Sequence, residues 1–299
     1  MTNFPTQQNI YVAEEEDSAR WQLFDHRAGD VFICTSPKSG TTWTQAICAF
    51  LIFGRGDVPS GNGGESPWVE MTFETMDALN ARLNAQTHRR YLKSHSPFDG
   101  VIYWPDAIYF SVFRHPLDIY FSLLKHGANQ NNPVDNPIYN VDPVKSFEAW
   151  LTLPFQVNPN NNTTFEAGIH QYKSFLKWRH LPNIHIFHYA DMTRDLDREM
   201  VRMAAAMEIS HPAELMAELV QAASFDSMKK NADKYAPQVW DGYWKDKREF
   251  FNAGTSNKWE GKLTTDQLAA YDARMDNLLT AEERQWLEWG TYPAAISRA

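Results

Sequence analysis

The segment VFICTSPKSGTTWTQAICAFLIF, residues 31–53, constrains the fold of this chain more than any other. It begins with a short apolar run that ends in turn-forming residues, which predicts a central parallel strand at 31–36, buried on both faces. From Thr41 the apolar residues recur at helical spacing, and Gly54 is placed to end the helix. A strand, a short loop and a helix in this order are typical of a phosphate-binding loop.

Three further segments have the pattern of strands. RRYLKSHSPFDG (89–100) predicts a short strand and a turn, and DAIYFSVFRHP (106–116) and IHIFHYADM (184–192) predict buried strands. Pro116 suits the first turn of a following helix. Strands that alternate with helices predict a single α/β domain, 1–299, with a central parallel sheet flanked by helices. Ligands of such sheets bind at the carboxyl ends of the strands.

Composition excludes several classes of protein. The 299 residues are 43% hydrophobic, enough for a sizeable core, and the net charge of −9 argues against a non-specific nucleic-acid binder. Cys34 and Cys48 lie in apolar runs and are expected to be buried free thiols. Without a signal-like N-terminus or an apolar run of about 20 residues, we expect a cytoplasmic protein with no transmembrane segment.

In two segments the apolar residues show neither helical nor strand periodicity. Residues 129–164 are rich in Asn and Pro, and we interpret them as long loops, which usually carry function or mobility. Residues 235–264 are aromatic and polar. For Trp240, Tyr243 and Trp244 we prefer a place in the core, with a pocket wall as the alternative.

The loop after the first strand has the chemistry of an anion site. Gly40 frees the backbone for close approach, and Thr41 and Thr42 start the helix, whose N-terminus favours an anion. Lys38 adds a full positive charge. An ordinary capped turn with a solvated lysine remains the alternative.

Other polar residues follow the next strands. On an extended strand Lys93 and His95 face the same side, and histidine is a natural base for an alcohol proton. Arg114 can grip a phosphate, and Ser122 lies about 9 Å farther along the next helix. A core or surface histidine, a salt bridge and a buried hydroxyl are the structural alternatives. No Cys pair or H-E-x-x-H motif indicates a metal.

Three motifs occur in a specific order: S-P-K-S-G-T-T-W, then K-S-H-S-P, then R-H-P-x-D-x-x-x-S. Over about residues 20–290 the chain resembles the soluble, cytosolic-type sulfotransferases, and most of all their bacterial members, which include glycolipid sulfotransferases. These enzymes use 3′-phosphoadenosine 5′-phosphosulfate (PAPS) and release 3′-phosphoadenosine 5′-phosphate (PAP). The resemblance implies a P-loop-kinase-like sulfotransferase fold.

The resemblance also implies roles for individual residues. His95 would be the general base on the acceptor hydroxyl, Lys38 would contact the phosphosulfate, and Lys93 would lie beside the transferring group. The implied cosubstrate-binding residues are Lys38, Ser39, Gly40, Thr41, Thr42, Trp43, Arg114, Ser122, Tyr189, Phe225, Asn252, Ala253 and Gly254. The implied partners are PAPS, no metal, and a small-molecule or glycolipid alcohol or amine as acceptor.

The chain departs from the family pattern at the expected 3′-phosphate clamp. The R-K-G-x-x-G-x-W motif reads NAGTSNKW here, so Asn252 and Ala253 replace two cations. Lys247, Arg248 and Lys258 are candidate replacements, and without one PAPS binding would weaken. Ala223 stands where the family often has Thr. The family's C-terminal dimer motif is not recognisable, which leaves the oligomeric state open.

Two other functions remain compatible with these residues. A P-loop kinase would need a lysine after the loop glycine and an acidic residue for Mg²⁺, whereas Lys38 precedes Gly40. A PAPS-binding protein without turnover would share the loop but would release no sulfated product.

Overall fold

The structure is a computed structural model that describes residues 4–58, 65–131, 136–139, 142–235, 242–250 and 256–291. In these ranges the chain forms a parallel sheet with helices packed on both faces. The predicted α/β class with a central parallel sheet is therefore confirmed.

The sheet of the described residues has four strands in the order β2-β1-β3-β4, all parallel to their neighbours. Their bounds are β1 Val31–Cys34, β2 Tyr91–Ser94, β3 Ile108–Phe113 and β4 Ile184–His188. Val31 of β1 pairs with Tyr91 on one side and with Ile108 on the other. The carboxyl ends of β1, β2 and β3 consequently lie side by side.

The strands are shorter than the apolar runs predict. The run at 31–36 ends as a strand at Cys34, and the run at 184–192 ends at His188. At the end of β4 the His188 side chain accepts a hydrogen bond of 3.1 Å from the Ala190 N–H and so caps the start of a helix. Tyr189 is thereby the first residue of a helix at the end of a strand.

The helices of the described residues flank the sheet and follow it along the chain. They are α1 Thr41–Phe53, α2 Met76–Asn84, α3 Pro116–Ala128, α4 Pro143–Thr152, α5 Phe165–Leu176, α6 Tyr189–Arg194, α7 Leu196–Ala206, α8 Ala213–Ala223, α9 Phe225–Lys230, α10 Ala232–Tyr235, α11 Thr265–Leu278 and α12 Ala281–Trp289. The predicted helix start at Thr41, its end at Gly54 (φ +61°) and the placement of Pro116 in a first helical turn are confirmed.

Each face of the sheet packs against its own apolar cluster. Phe32 and Cys34 of β1 belong to one cluster, whereas Val31 and Ile33 belong to the other. This alternation follows from the period of two in a strand. Because both faces of the sheet are covered, a ligand site is expected at the carboxyl ends of the strands.

The interpretation of 129–164 as loop was wrong in part. Helix α4 lies within that range, with Asp142 as its N-cap and Pro143 in its first turn. Phe147, Trp150 and Leu151 bury one face of the helix, and this packing outweighs the loop-like composition around it. Residues 132–135 and 140–141 lie outside the described ranges.

The cysteine prediction is confirmed, since Cys34 and Cys48 are buried free thiols. Within the described part of the chain, none of the helices is long and apolar enough to cross a membrane.

Candidate functional site

The loop between β1 and α1 has an unusual backbone. Lys38 has φ +66° and Gly40 has φ +113°, both in the left-handed region that side chains disfavour. A Cβ added to Gly40 would lie 3.2 Å from Cδ2 of Tyr189. The glycine therefore lets the loop pass close to Tyr189 without a steric clash.

The start of α1 offers polar groups beside this loop. Gly40 is the N-cap residue and contributes no side-chain cap, and Thr41 and Thr42 are the first two helical residues. The Ser39 hydroxyl is buried and has no hydrogen-bond partner among the described residues. A buried, unpartnered hydroxyl beside a helix N-terminus fits an anion that is bound through several donors.

His95 follows β2 directly and is only 8% exposed. Its Nδ1 lies 2.6 Å from the carbonyl oxygen of Thr35. Since a carbonyl oxygen only accepts, Nδ1 carries the proton, and Nε2 of the neutral ring keeps its lone pair. Burial, and then the nearby Lys93, hold the pKa of His95 well below its usual value. The ring is thus a neutral base in a fixed tautomer.

Trp68 brings Lys93 and His95 together. The Lys93 ammonium lies 3.8 Å from the centre of the Trp68 ring, and the His95 ring lies 4.7 Å from it, edge to face. Burial lowers the pKa of Lys93 to about 8, although Glu16 and Glu70 act in the opposite direction. The two residues expected on one face therefore share one aromatic neighbour.

Lys38 points into the same region. Its Nζ lies 3.0 Å from Nδ1 of His126 and 4.7 Å from the centre of the Phe250 ring. Burial, followed by the nearby charges of Arg114, Lys93 and Lys258, lowers the pKa of Lys38 to about 7. The loop lysine is thus surrounded by positive charge, which an anionic ligand would offset.

Arg114 connects the loop to Tyr189. Its Nη1 donates a hydrogen bond of 3.2 Å to the carbonyl oxygen of Lys38, and its guanidinium lies 4.1 Å from the centre of the Tyr189 ring. A cavity of about 440 Å³ reaches Arg114 from the side of α6 and of residues 256–257. A ligand in this cavity can therefore reach the guanidinium.

Aromatic residues line the side of the loop that faces α8 and α9. The Trp43 indole N–H donates a hydrogen bond of 2.7 Å to the Ala223 carbonyl oxygen, and its ring centre lies 5.5 Å from that of Tyr189. Phe225, half-buried, opens helix α9 two residues after Ala223. The structure thus brings Trp43 and Tyr189 together and places the segment of Phe225 beside them.

Ser122 is half-buried in the middle of α3.

The residues expected in the 3′-phosphate clamp, Asn252, Ala253 and Gly254, lie outside the described residues, as does Trp240. The segment that follows is tied to α3. The buried carboxylate of Asp118 accepts hydrogen bonds from the backbone N–H of Asn257, at 2.9 Å, and of Lys258, at 2.7 Å. Burial, followed by Arg114, lowers the pKa of Lys258 to about 8, so its ammonium lies within electrostatic reach of Arg114.

The preference for the core is confirmed for Trp244, which belongs to the buried hydrophobic residues, whereas Tyr243 is only half-buried. The Trp244 ring lies 5.0 Å from that of His126 and 5.4 Å from that of Phe250. Its edge contact with Tyr243 completes a wall beside Lys38.

Three residues of this site were missed by sequence reasoning: Trp68, His126 and Asp118. His126 lies one helical turn after Ser122, so the spacing of four residues could have indicated it. Asp118 lies within the third motif, but its carboxylate contacts a segment about 140 residues away. Trp68 follows a stretch that reads as loop, and no local pattern shows that it reaches β2.

The chemistry of the site follows from its charges. Lys38, Lys93, Arg114 and Lys258 gather at the strand ends of a chain whose net charge is −9. A neutral imidazole with a free Nε2 lies among them. Such an arrangement can bind a polyanion, stabilise negative charge that develops on it, and remove a proton from a second substrate.

Comparisons with known proteins agree with this chemistry. A family model described as a sulfotransferase domain matches residues 28–283. Glycolipid sulfotransferases of Mycobacterium bovis and Mycobacterium tuberculosis are each 30% identical to the chain, with 95% of both sequences covered. The crystal structure of mouse sulfotransferase SULT7A1 complexed with PAP has a TM-score of 0.70 at 19% identity and covers 89% of this chain and 91% of that one. Retinol dehydratase in complex with androsterone and PAP has a TM-score of 0.67 at 16% identity, with 88% and 84% covered.

Proposed function

This chain belongs to the sulfotransferase domain family, and on that premise we propose that it moves the sulfuryl group of PAPS to a hydroxyl of a lipid-linked or small-molecule acceptor. His95 acts as the general base of this transfer. The observation that carries the proposal is the fixed tautomer of His95, whose Nε2 is left free beside the ammonium groups of Lys93 and Lys38. This combination supplies a base for the acceptor and cations for the donor in one place.

The residues around the loop fit a bisphosphorylated nucleotide. The start of α1 and the buried Ser39 hydroxyl suit the 5′-phosphosulfate, together with Lys38. Trp43, Tyr189 and Phe225 suit the adenine, since aromatic faces favour a base. The mouse SULT7A1 and retinol dehydratase structures were both solved with PAP, the product that remains when PAPS loses its sulfuryl group.

The transfer is an in-line displacement at sulfur. The acceptor oxygen forms a bond to sulfur as the bond from sulfur to the bridging oxygen of the 5′-phosphate breaks. His95 Nε2 takes the acceptor proton, and the electron pair of the broken bond leaves with PAP. Lys38 stabilises the charge on the leaving phosphate, and Lys93 stabilises the charge on the transferring group.

Arg114, Ser122 and Lys258 form the grip on the 3′-phosphate in this proposal. Of the three candidate replacements for the missing cations, we favour Lys258 for two reasons. Asp118 accepts a hydrogen bond from the Lys258 backbone N–H, and Arg114 is close enough to lower the pKa of its ammonium group. Lys247 is half-buried and Arg248 is exposed, and neither is tied to α3 by a hydrogen bond among the described residues.

The acceptor is the substrate for which the relatives are most informative. Both mycobacterial relatives are glycolipid sulfotransferases, so we propose a hydroxyl of a lipid-linked sugar as the preferred acceptor. Trp68, half-buried, places an aromatic side chain beside His95, against which the apolar part of such an acceptor can pack.

A transfer assay tests the proposed function. Incubation with ³⁵S-labelled PAPS and a panel of glycolipids, aliphatic alcohols and phenols should give a labelled glycolipid and stoichiometric PAP. ATP with Mg²⁺ as the donor should give no transfer, which separates the enzyme from a P-loop kinase. Tight PAPS binding without a labelled product from any acceptor would instead indicate a binding protein without turnover.

The depressed lysine pKa values predict proton uptake on PAP binding. Lys38, with a pKa of about 7, and Lys93 and Lys258, both at about 8, are partly neutral at pH 8. A bound polyanion favours the ammonium form and raises these pKa values, whereas the phosphates of PAP, with a second pKa of about 6, are already ionised. Binding should therefore take up protons at pH 8 and weaken as the pH rises from 7 to 9.

Isothermal titration calorimetry in buffers of different ionisation enthalpy measures this uptake. The other charged groups that bear on the three lysines are Arg114, Asp118, Glu16, Glu70, Lys125 and Lys262. Lys38→Met should reduce the number of protons taken up, with the remainder assigned to Lys93 and Lys258. A binding enthalpy that does not change with the buffer at pH 8 would contradict the prediction.

A further inference from the structure

His126, on α3, makes a contact that the proposed roles above do not use. Its Nδ1 lies 3.0 Å from the Nζ of Lys38. A lysine ammonium has three donors and no acceptor, so in this contact Nδ1 accepts and the ring proton is on Nε2. The imidazole is therefore the neutral partner of a charged lysine.

The surroundings of His126 keep the ring neutral and in place. Its ring lies 5.0 Å from that of Trp244 and 6.5 Å from that of Phe250. Burial lowers the pKa of His126 to about 2, and Lys38 and Lys93 contribute to the shift. The ring consequently carries no charge of its own, and it accepts from Lys38 whenever the lysine is in its ammonium form, as it is beside a bound polyanion.

Lys38 is held by several neighbours but has no counter-ion in the described part of the chain. Its backbone carbonyl accepts from Arg114, its ammonium packs against Phe250, and none of the salt bridges among the described residues includes it. A carboxylate in the place of His126 would neutralise the lysine and compete with an anionic ligand. A neutral acceptor orients the ammonium and leaves its charge for the ligand.

We propose that His126 is a positioning residue for sulfuryl transfer, which holds the Lys38 ammonium so that its other N–H groups face the leaving 5′-phosphate of PAPS. This inference rests on the proposed function. A lysine side chain has four flexible carbon–carbon bonds, so its ammonium is poorly fixed unless a neighbour holds it. The hydrogen bond to the ring supplies that orientation before the charge develops on the leaving oxygen.

The proposal predicts a loss in kcat rather than in binding. His126→Phe keeps an aromatic ring against Trp244 and Phe250 but removes the acceptor, and it should lower kcat about 10- to 100-fold. The KM for the acceptor and the Kd for PAP should stay within about threefold, since the charge of Lys38 remains. His126→Asn, whose side-chain oxygen can occupy the position of Nδ1, should recover a large part of the lost kcat.

The experiment compares these variants with the wild type in the labelled PAPS assay, together with PAP titrations by calorimetry. His180→Phe is the matched control, because His180 is exposed and lies outside the site, and it should leave kcat unchanged. If His126→Phe does not fold, His126→Leu tests the same prediction. A fully active Phe or Leu variant, or an Asn variant no better than either, overturns the role of His126.

The outcome for the wild type separates this inference from the proposed function. If the wild type transfers no label from PAPS to any acceptor, the proposed function fails. If the wild type is active and the His126 variants keep its kcat, only the positioning role fails.

Discussion

Replacing His95 by Asn is expected to lower sulfuryl transfer by about 10²–10⁴-fold, while the Kd for PAP stays within a few-fold of the wild-type value. The Asn side-chain amide can still donate to the Thr35 carbonyl oxygen, as His95 Nδ1 does at 2.6 Å. It has no basic nitrogen at the position of Nε2. The variant therefore removes the base and keeps the anchor, so the loss in rate reports the base itself.

His95→Ala provides the complementary measurement, since it removes both the base and the anchor. It should be at least as inactive as His95→Asn and should still bind PAP, as measured by calorimetry. Circular dichroism and the thermal midpoint of each variant would show that the fold is kept. Substantial transfer by either variant would rule out His95 as the general base.

Replacing Lys258 by Ala is expected to weaken PAP binding by about 10- to 150-fold. The reason is the loss of one charged hydrogen bond, typically worth about 1.5–3 kcal/mol, at roughly tenfold for each 1.4 kcal/mol. The same substitution should barely affect the binding of adenosine 5′-monophosphate, which lacks the 3′-phosphate. The ratio of the two affinities therefore isolates the contribution of Lys258 to the 3′ end.

Lys262→Ala is the matched control for this measurement. Lys262 is exposed, lies four residues farther along the chain and packs over the ring of Phe121, so its removal changes the net charge equally. It should leave PAP binding within about twofold. Equal losses for PAP and for adenosine 5′-monophosphate in Lys258→Ala would show that the lysine does not hold the 3′-phosphate.

Local signals in the sequence were sufficient for the loop and its helix. Lys38, Gly40 and Thr41 are near neighbours in the chain, and the change from an apolar run to a helical period places them at the strand end. The same logic located the ends of β2 and β3, and hence His95 and Arg114. These positions depend on short-range pattern and on the general geometry of parallel sheets.

Contacts between distant segments could not be obtained in this way. Trp68 meets Lys93 through a segment that pairs beside β2, and Asp118 reaches residues 257–258 across the site. Helix α4 was missed because its flanks are rich in Asn and Pro, whereas its buried face is what stabilises it. In each case tertiary packing decides the outcome, and a single sequence does not display that packing.

Helix α3 has a consequence for nucleotide selection. Asp118, near its first turn, holds the segment of Lys258, and His126, in its last turn, holds the ammonium of Lys38. The two residues are eight positions apart, which corresponds to about 12 Å along a helix. If PAPS binds as proposed, one helix would therefore support both the segment that approaches the 3′-phosphate and the lysine that contacts the 5′-phosphosulfate. A nucleotide with all its phosphates in one chain would then contact only one of these two groups.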